Sequence, residues 1–158
     1  MVQYKKQLEA IMRCLTAETE EDRESARNEI RELLDGAERT AVKQDAETLV
    51  RDILVDIGVP EHLTGHPYLV TAICAAVEDG TYLKNITSDL YPTVAMTHGT
   101  TPSRVERAIR HAIECGWDRG DLDVMDHYFG NTISISKGKP TNSEFIARLA
   151  NVVRMRMK

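Results

Sequence analysis

LYPTVAMTHGTTPSRVERAIRHAIECGWDRG, residues 90–120, is the stretch whose reading decides the fold. It predicts a short helix, a tight turn and a long second helix. Thr101 is placed to cap the second helix, because its hydroxyl can accept a free backbone N–H of the first turn. Pro102 then stands at the first helical position, where a missing N–H costs nothing. Val105, Ala108, Ile109, Ala112 and Ile113 recur at i, i+3, i+4, i+7 and i+8, a helical apolar face. Ser103, Arg104, Glu106, Arg107, Arg110, His111 and Glu114 fall on the other side. Leu90, Val94 and Ala95 give the short first helix its own apolar face, and Gly99 lies in the connection, where a positive φ is cheap. Two short-linked helices, the second with an arginine-rich outer face, point to a helix-turn-helix. The plain alternative is a solvated surface on an all-α domain that touches no nucleic acid.

Outward from that stretch, every signal is helical. Tyr4, Leu8, Ile11, Met12 and Leu15 lie on one face of a first helix. Thr19 precedes an acidic turn, Glu20, Glu21 and Asp22, which suits the positive end of a helix dipole. Ala26, Ile30, Leu33 and Leu34 continue that helix, and Gly36 is read as its stop. These two helices form a hairpin with an apolar seam, which must pack on the rest of the chain or on another copy. Residues 1–39 show no strand pattern and no acidic cluster after strands, so no receiver domain is expected there. A third helix is read over Thr40 to Ile57, ended by Gly58 and Pro60. In the link VPEHLTGHP, Gly65 and Pro67 argue against a helix. Its His62 and His66 stand four apart but find no third ligand, so no metal site is expected. Tyr68 to Glu78 is a fourth helix with Leu69, Ala72, Ile73 and Val77 inward. After Gly120, Leu122 to Tyr128 reads as one or two helical turns. Asn131 to Ser136 reads as a loop, and Lys137, Gly138 and Lys139 as a basic segment. Thr141 to Glu144 fits a capping box before a last helix carrying Phe145, Ile146, Leu149, Val152 and Val153.

Composition narrows the class. Of the 158 residues, 42% are hydrophobic, enough for a core, and 28% are charged. No apolar run approaches the ~20 residues a membrane helix needs, and MVQYKKQLEA is no signal peptide. The chain reads as cytoplasmic. Cys14, Cys74 and Cys115 are odd in number and far apart, so each reads as a small hydrophobe rather than a disulfide or metal ligand. The net charge of −5 is unevenly spread. Residues 137–158 carry Lys137, Lys139, Arg148, Arg154, Arg156 and Lys158 against Glu144 alone, a net +5, so the rest carries −10. A basic tail on an acidic body permits local phosphate binding. A solvated C-terminus is the alternative.

Six stretches, IGVPEHLTG, ITSDLYP, TPSRVERAIRHAIE, WDRG, FGNT and KPTNSEFIA, together resemble the C-terminal effector domain of the stage-zero sporulation protein A family of response regulators. The similarity runs from about Ile53 to Val152; residues 1–39 lie outside it, where that family would have a receiver domain and linker. The resemblance implies an all-α domain of about six helices that binds double-stranded DNA through its helix-turn-helix and regulates transcription. It also implies a homodimer on DNA and contact with the RNA polymerase sigma subunit. Carried over residue by residue, the base-reading helix is Ser103 to Glu114. Arg107 is the first choice for a base contact, since a guanidinium can bond guanine O6 and N7 together. Glu106 accepts from a cytosine amino group or orients a neighbouring arginine. Arg104, Arg110 and His111 meet bases or phosphates, and Ser103 suits a phosphate. Lys137 and Lys139 match basic positions that reach the DNA backbone. Phe129 reads by default as core, and it also matches a family position near the dimer contact. One departure stands out: the family commonly has lysines where Met96 and Thr97 stand, so phosphate anchoring by the first helix is expected to be weaker.

The chain is thus read as two parts. Residues 1–39 form a helical hairpin for regulation or self-association, and residues 40–158 form a helix-turn-helix effector domain. The competing class is a protein-interaction module with weak DNA affinity. No Gly-rich phosphate loop, nucleophile–base pair or metal triad supports an enzyme or a bound cofactor, and the five histidines are scattered.

Overall fold

A computed structural model describes residues 2–130 and 138–157. Among these residues seven α-helices follow in order: α1 (Val2–Thr16), α2 (Glu20–Asp56), α3 (Gly65–Glu78), α4 (Tyr91–Thr97), α5 (Pro102–Arg119), α6 (Leu122–Phe129) and α7 (Asn142–Arg156). A 3-10 turn at Gly80–Leu83 and one π-turn at Ile86–Leu90 lie between α3 and α4. There is no strand among the described residues, so the all-α reading holds. The chain divides into two compact units, Met1–Gln44 and Asp45–Lys158. The expected loop over Asn131–Ser136 lies outside the described residues.

The first unit holds α1 and the first part of α2. Thr19 accepts from the Asp22 N–H at 3.1 Å and so opens α2. The seam differs from the expectation. Its buried residues are the small ones, Ala10 and Ala26, while Tyr4, Leu8, Ile11, Met12, Leu15 and Leu34 are exposed. An ion pair between Arg13 and Glu29 at 2.8 Å ties the two helices together. Alanines let two backbones approach closely, and the bulky stripe is left facing water.

α2 also corrects the sequence reading. Gly36 does not end it, and the two helices expected on either side of Gly36 are one helix of 37 residues. A glycine stops a helix by turning left-handed, and Gly36 is not among the glycines with positive φ, whereas Gly58 is, at +89°. The residues after Gly36 are good helix formers, so propagation outweighs the local cost of about 1 kcal/mol.

The second unit is built around α3. Leu69, Ala72 and Ile73 point inward as expected, and Tyr68, Val70, Cys74 and Ala76 are buried as well. A helix apolar on all sides belongs in the middle, and α3 packs against α4, α5 and α7. The helix begins three residues earlier than expected, at Gly65. Pro67 is tolerated because the first turn of a helix has no internal partners for its N–H groups. Gly65 is required by packing: a Cβ there would overlap the Ala108 carbonyl oxygen and approach the Ala112 Cβ to 2.7 Å. α5 therefore rests directly on the α3 backbone. The core is completed by Ile53 and Leu54 from the end of α2, by Ile57 just after it, and by Phe145, Ile146 and Leu149 from α7. Each such fully buried side chain contributes roughly 1.5–3 kcal/mol.

Candidate nucleic-acid interface

α4 and α5 are joined by the four residues His98–Thr101. The turn is made as the sequence implies. Gly99 takes a positive φ of +61°, and the Thr100 N–H returns to the Ala95 carbonyl at 2.9 Å. Thr101 is extended, its hydroxyl accepts from the Arg104 N–H at 3.4 Å, and Pro102 opens the helix.

Three contacts invisible in the sequence fix this unit in place. The His98 ring lies 4.8 Å from the Tyr68 ring, and its Nε2 is 2.8 Å from the Thr71 hydroxyl, which ties the turn to α3. Gly65 sets α5 against α3 as described. Asn142, 5% exposed at the start of α7, donates through Nδ2 to the Tyr91 hydroxyl and to the Glu106 carbonyl, each at 3.1 Å. One buried amide thus joins α4, α5 and α7. Burial pushes the Tyr91 hydroxyl above its usual pKa, so it stays protonated. The capping box beside Asn142 is present as read: Thr141 accepts from the Glu144 N–H while the Glu144 carboxylate accepts from the Thr141 N–H. That bond holds the Glu144 pKa below its ordinary value.

The outer face of α5 is open. Val105, Ile109, Ala112 and Ile113 are buried, and Ser103, Arg104, Arg107, Arg110 and His111 are exposed on the opposite side. Glu106 is half-buried and accepts from Arg110 at 3.3 Å. Arg104 and Arg107 make no ion pair among the described residues. The His111 ring lies 3.7 Å from the Cys115 sulfur.

The other sites named from the sequence are distributed differently. Lys139 is exposed and paired with Asp118 near the end of α5 at 2.8 Å, which raises its pKa. Lys137 lies outside the described residues. Phe129 is fully buried, with ring centroids 5.4 Å from Trp117 and 5.3 Å from Phe145. Its side chain therefore builds core in this chain. The arginines of the basic tail are largely turned inward. Arg148 donates to the Tyr128 carbonyl at 2.5 Å, and Arg154 donates to the carbonyls of Ala76 and Val77 at the end of α3. Arg156 lies 5.3 Å over the Tyr128 ring. A charge count cannot see this, because it does not distinguish a cap on a helix end from a free cation.

Among the described residues no group of His, Cys, Asp or Glu is placed to hold a metal ion, and no helix is long and apolar enough to cross a membrane. A family model described as sporulation initiation factor Spo0A C terminal matches residues 50–153. That span is about two-thirds of the chain and contains α3 to α6, most of α7 and every outer-face residue named above. This chain belongs to that family of DNA-binding effector domains.

Proposed function

We propose that the chain binds double-stranded DNA at specific sequences, with α4–turn–α5 as its helix-turn-helix, and regulates transcription from those sites. The observation that supports this most directly is that, among the described residues, the guanidinium groups of Arg104 and Arg107 make no ion pair, on a helix fixed by the Thr101 cap, by Gly65 and by Asn142. Arg107 lies at the centre of the face and is suited to a guanine edge. Arg110, oriented by Glu106, and His111 flank it. Ser103 in the first turn meets a phosphate, favoured there by the helix N-terminus. Lys137 and Lys139 follow the DNA backbone, Lys139 exchanging Asp118 for a phosphate. By resemblance to the family, the protein acts as a homodimer on DNA, with Phe129 beneath the contact surface, and touches the RNA polymerase sigma subunit.

Selection from a random DNA pool supplies the specific duplex. On it, Arg107→Ala costs ~1–3 kcal/mol, while binding to a scrambled duplex is nearly unchanged. Lys139→Ala weakens both duplexes alike and flattens the salt dependence by about one unit, since it removes one released counterion. Fluorescence anisotropy at several salt concentrations measures both. Equal losses on the two duplexes for Arg107→Ala would make Arg107 a phosphate anchor. A pool that stays flat would favour the interaction-module reading, which draws on the uncharged outer face of α4, where Met96 is 81% exposed.

A further inference from the structure

The first unit inverts the usual amphipathic rule. Tyr4, Leu8, Ile11, Met12 and Leu15 follow i, i+4, i+7, i+8 and i+11 along α1. That is the pattern of a helix facing the core of a bundle. All five are exposed, from 43% at Ile11 to 79% at Tyr4. The adjoining face carries Gln7, Ala10 and Cys14, which are half to fully buried. Arg13, on that side, bonds Glu29 of α2. α1 thus meets α2 through its small residues and keeps its large ones for something else.

We propose that this stripe is an interface with a second copy of the chain, two hairpins pairing through α1 in antiparallel fashion about a two-fold axis. The five exposed apolar side chains form one row along the whole of α1, the form of a helix–helix contact rather than of scattered surface residues. Charge selects a second copy and sets its direction. The start of α1 carries Lys5 and Lys6, while Glu18, Glu20, Glu21 and Asp22 crowd the far end and the turn beyond it. Among the described residues Lys5 pairs with Glu9, 4.0 Å away and itself exposed, and Arg23 and Arg27 both pair with Glu20. An antiparallel pair lays the basic end of each helix beside the acidic end of the other, whereas a parallel pair sets like against like. A two-fold axis lets one stripe serve both sides. The dimer goes beyond the DNA-binding reading and does not rest on it. Where both hold, it links two DNA-binding units and makes the second DNA contact intramolecular.

Sedimentation of the full chain without DNA, over a wide concentration range, tests this. A monomer–dimer equilibrium is expected. Leu8→Glu with Leu15→Glu should raise the dissociation constant at least about a hundredfold. Both sites are exposed and glutamate is a good helix former, so unchanged helicity by circular dichroism verifies that the variant is folded. Lys5→Glu with Lys6→Glu should weaken the dimer about tenfold, and adding Glu18→Lys and Glu21→Lys to the same chain should restore it. A monomer at every concentration, or a dimer indifferent to Leu8 and Leu15, overturns the proposal and leaves the stripe to the chain's own second unit or to another protein. A dimer indifferent to the charge changes overturns the antiparallel pairing. Because no DNA is present, failure here is separate from failure of the DNA-binding reading.

Discussion

His66, in the first turn of α3, is 2% exposed, and its Nε2 has no hydrogen-bond partner among the described residues. Burial lowers its pKa below 6.5, the Arg51 charge lowers it further, and Glu61 partly opposes both. The folded chain therefore keeps the ring neutral at a pH where the unfolded chain protonates it. The unfolded state takes up the proton first as pH falls, so folding loses stability from about pH 6.5 down to the lower folded value, and above about pH 7 the group has no effect. Urea unfolding of the parent chain should show a drop in midpoint between about pH 7.5 and 5.5 that His66→Leu reduces. An equal drop in the variant would mean that the folded ring accepts the proton freely. The sequence offered His66 only as a weak metal-ligand candidate. What it could not convey is that Gly65, one residue earlier, draws this turn against α5 and takes the ring out of water.

Among the helices, α2 is where local reading and structure part most clearly. Gly36 and Gly58 look alike as stop signals, but Gly58 is followed by Val59 and Pro60, and Gly36 by a run of helix formers. Only Gly58 adopts positive φ. A Cβ at Gly36 would meet nothing within 4 Å. Gly36→Ala should then stabilise the helix by ~0.5–1 kcal/mol, mostly by restricting the unfolded chain. Urea titration followed by helicity would register it, and a loss of stability would show that the chain is bent at Gly36 after all. The helices around the candidate site were more legible. Thr101, Pro102, Gly99 and the Thr141–Glu144 box each state their backbone geometry within four residues, and each was found as read. Asn142 was not, because its two partners lie 51 and 36 residues away.

At the scale of the whole molecule, a chain of net charge −5 meets a polyanion. Binding then depends on where the cations stand rather than on their number. Arg148 and Arg154 are occupied with backbone carbonyls and Lys139 with Asp118. Met96 and Thr97, where the resemblance implies lysines, are exposed and uncharged in α4. Met96→Lys should tighten binding to specific and scrambled DNA alike and steepen the salt dependence by about one unit. Anisotropy titrations at several salt concentrations would test it. An unchanged slope would place α4 away from the phosphates and count against the docking proposed for α5.

Sequence alone determined the helical class, the α4–turn–α5 unit and the arginine-bearing outer face of α5. All of these follow from periodicity and capping chemistry, which act between residues a turn or two apart. The family match over residues 50–153 agrees with that reading. Tertiary structure alone decided which of the described arginines turn inward, that Gly65 brings α3 onto α5 and that Asn142 joins three helices. It also decided which face of α1 turns inward. An apolar stripe shows that a helix has something to bury, but close approach of two backbones favours alanine, and α1 met α2 through Ala10 rather than through Leu8 and Leu15.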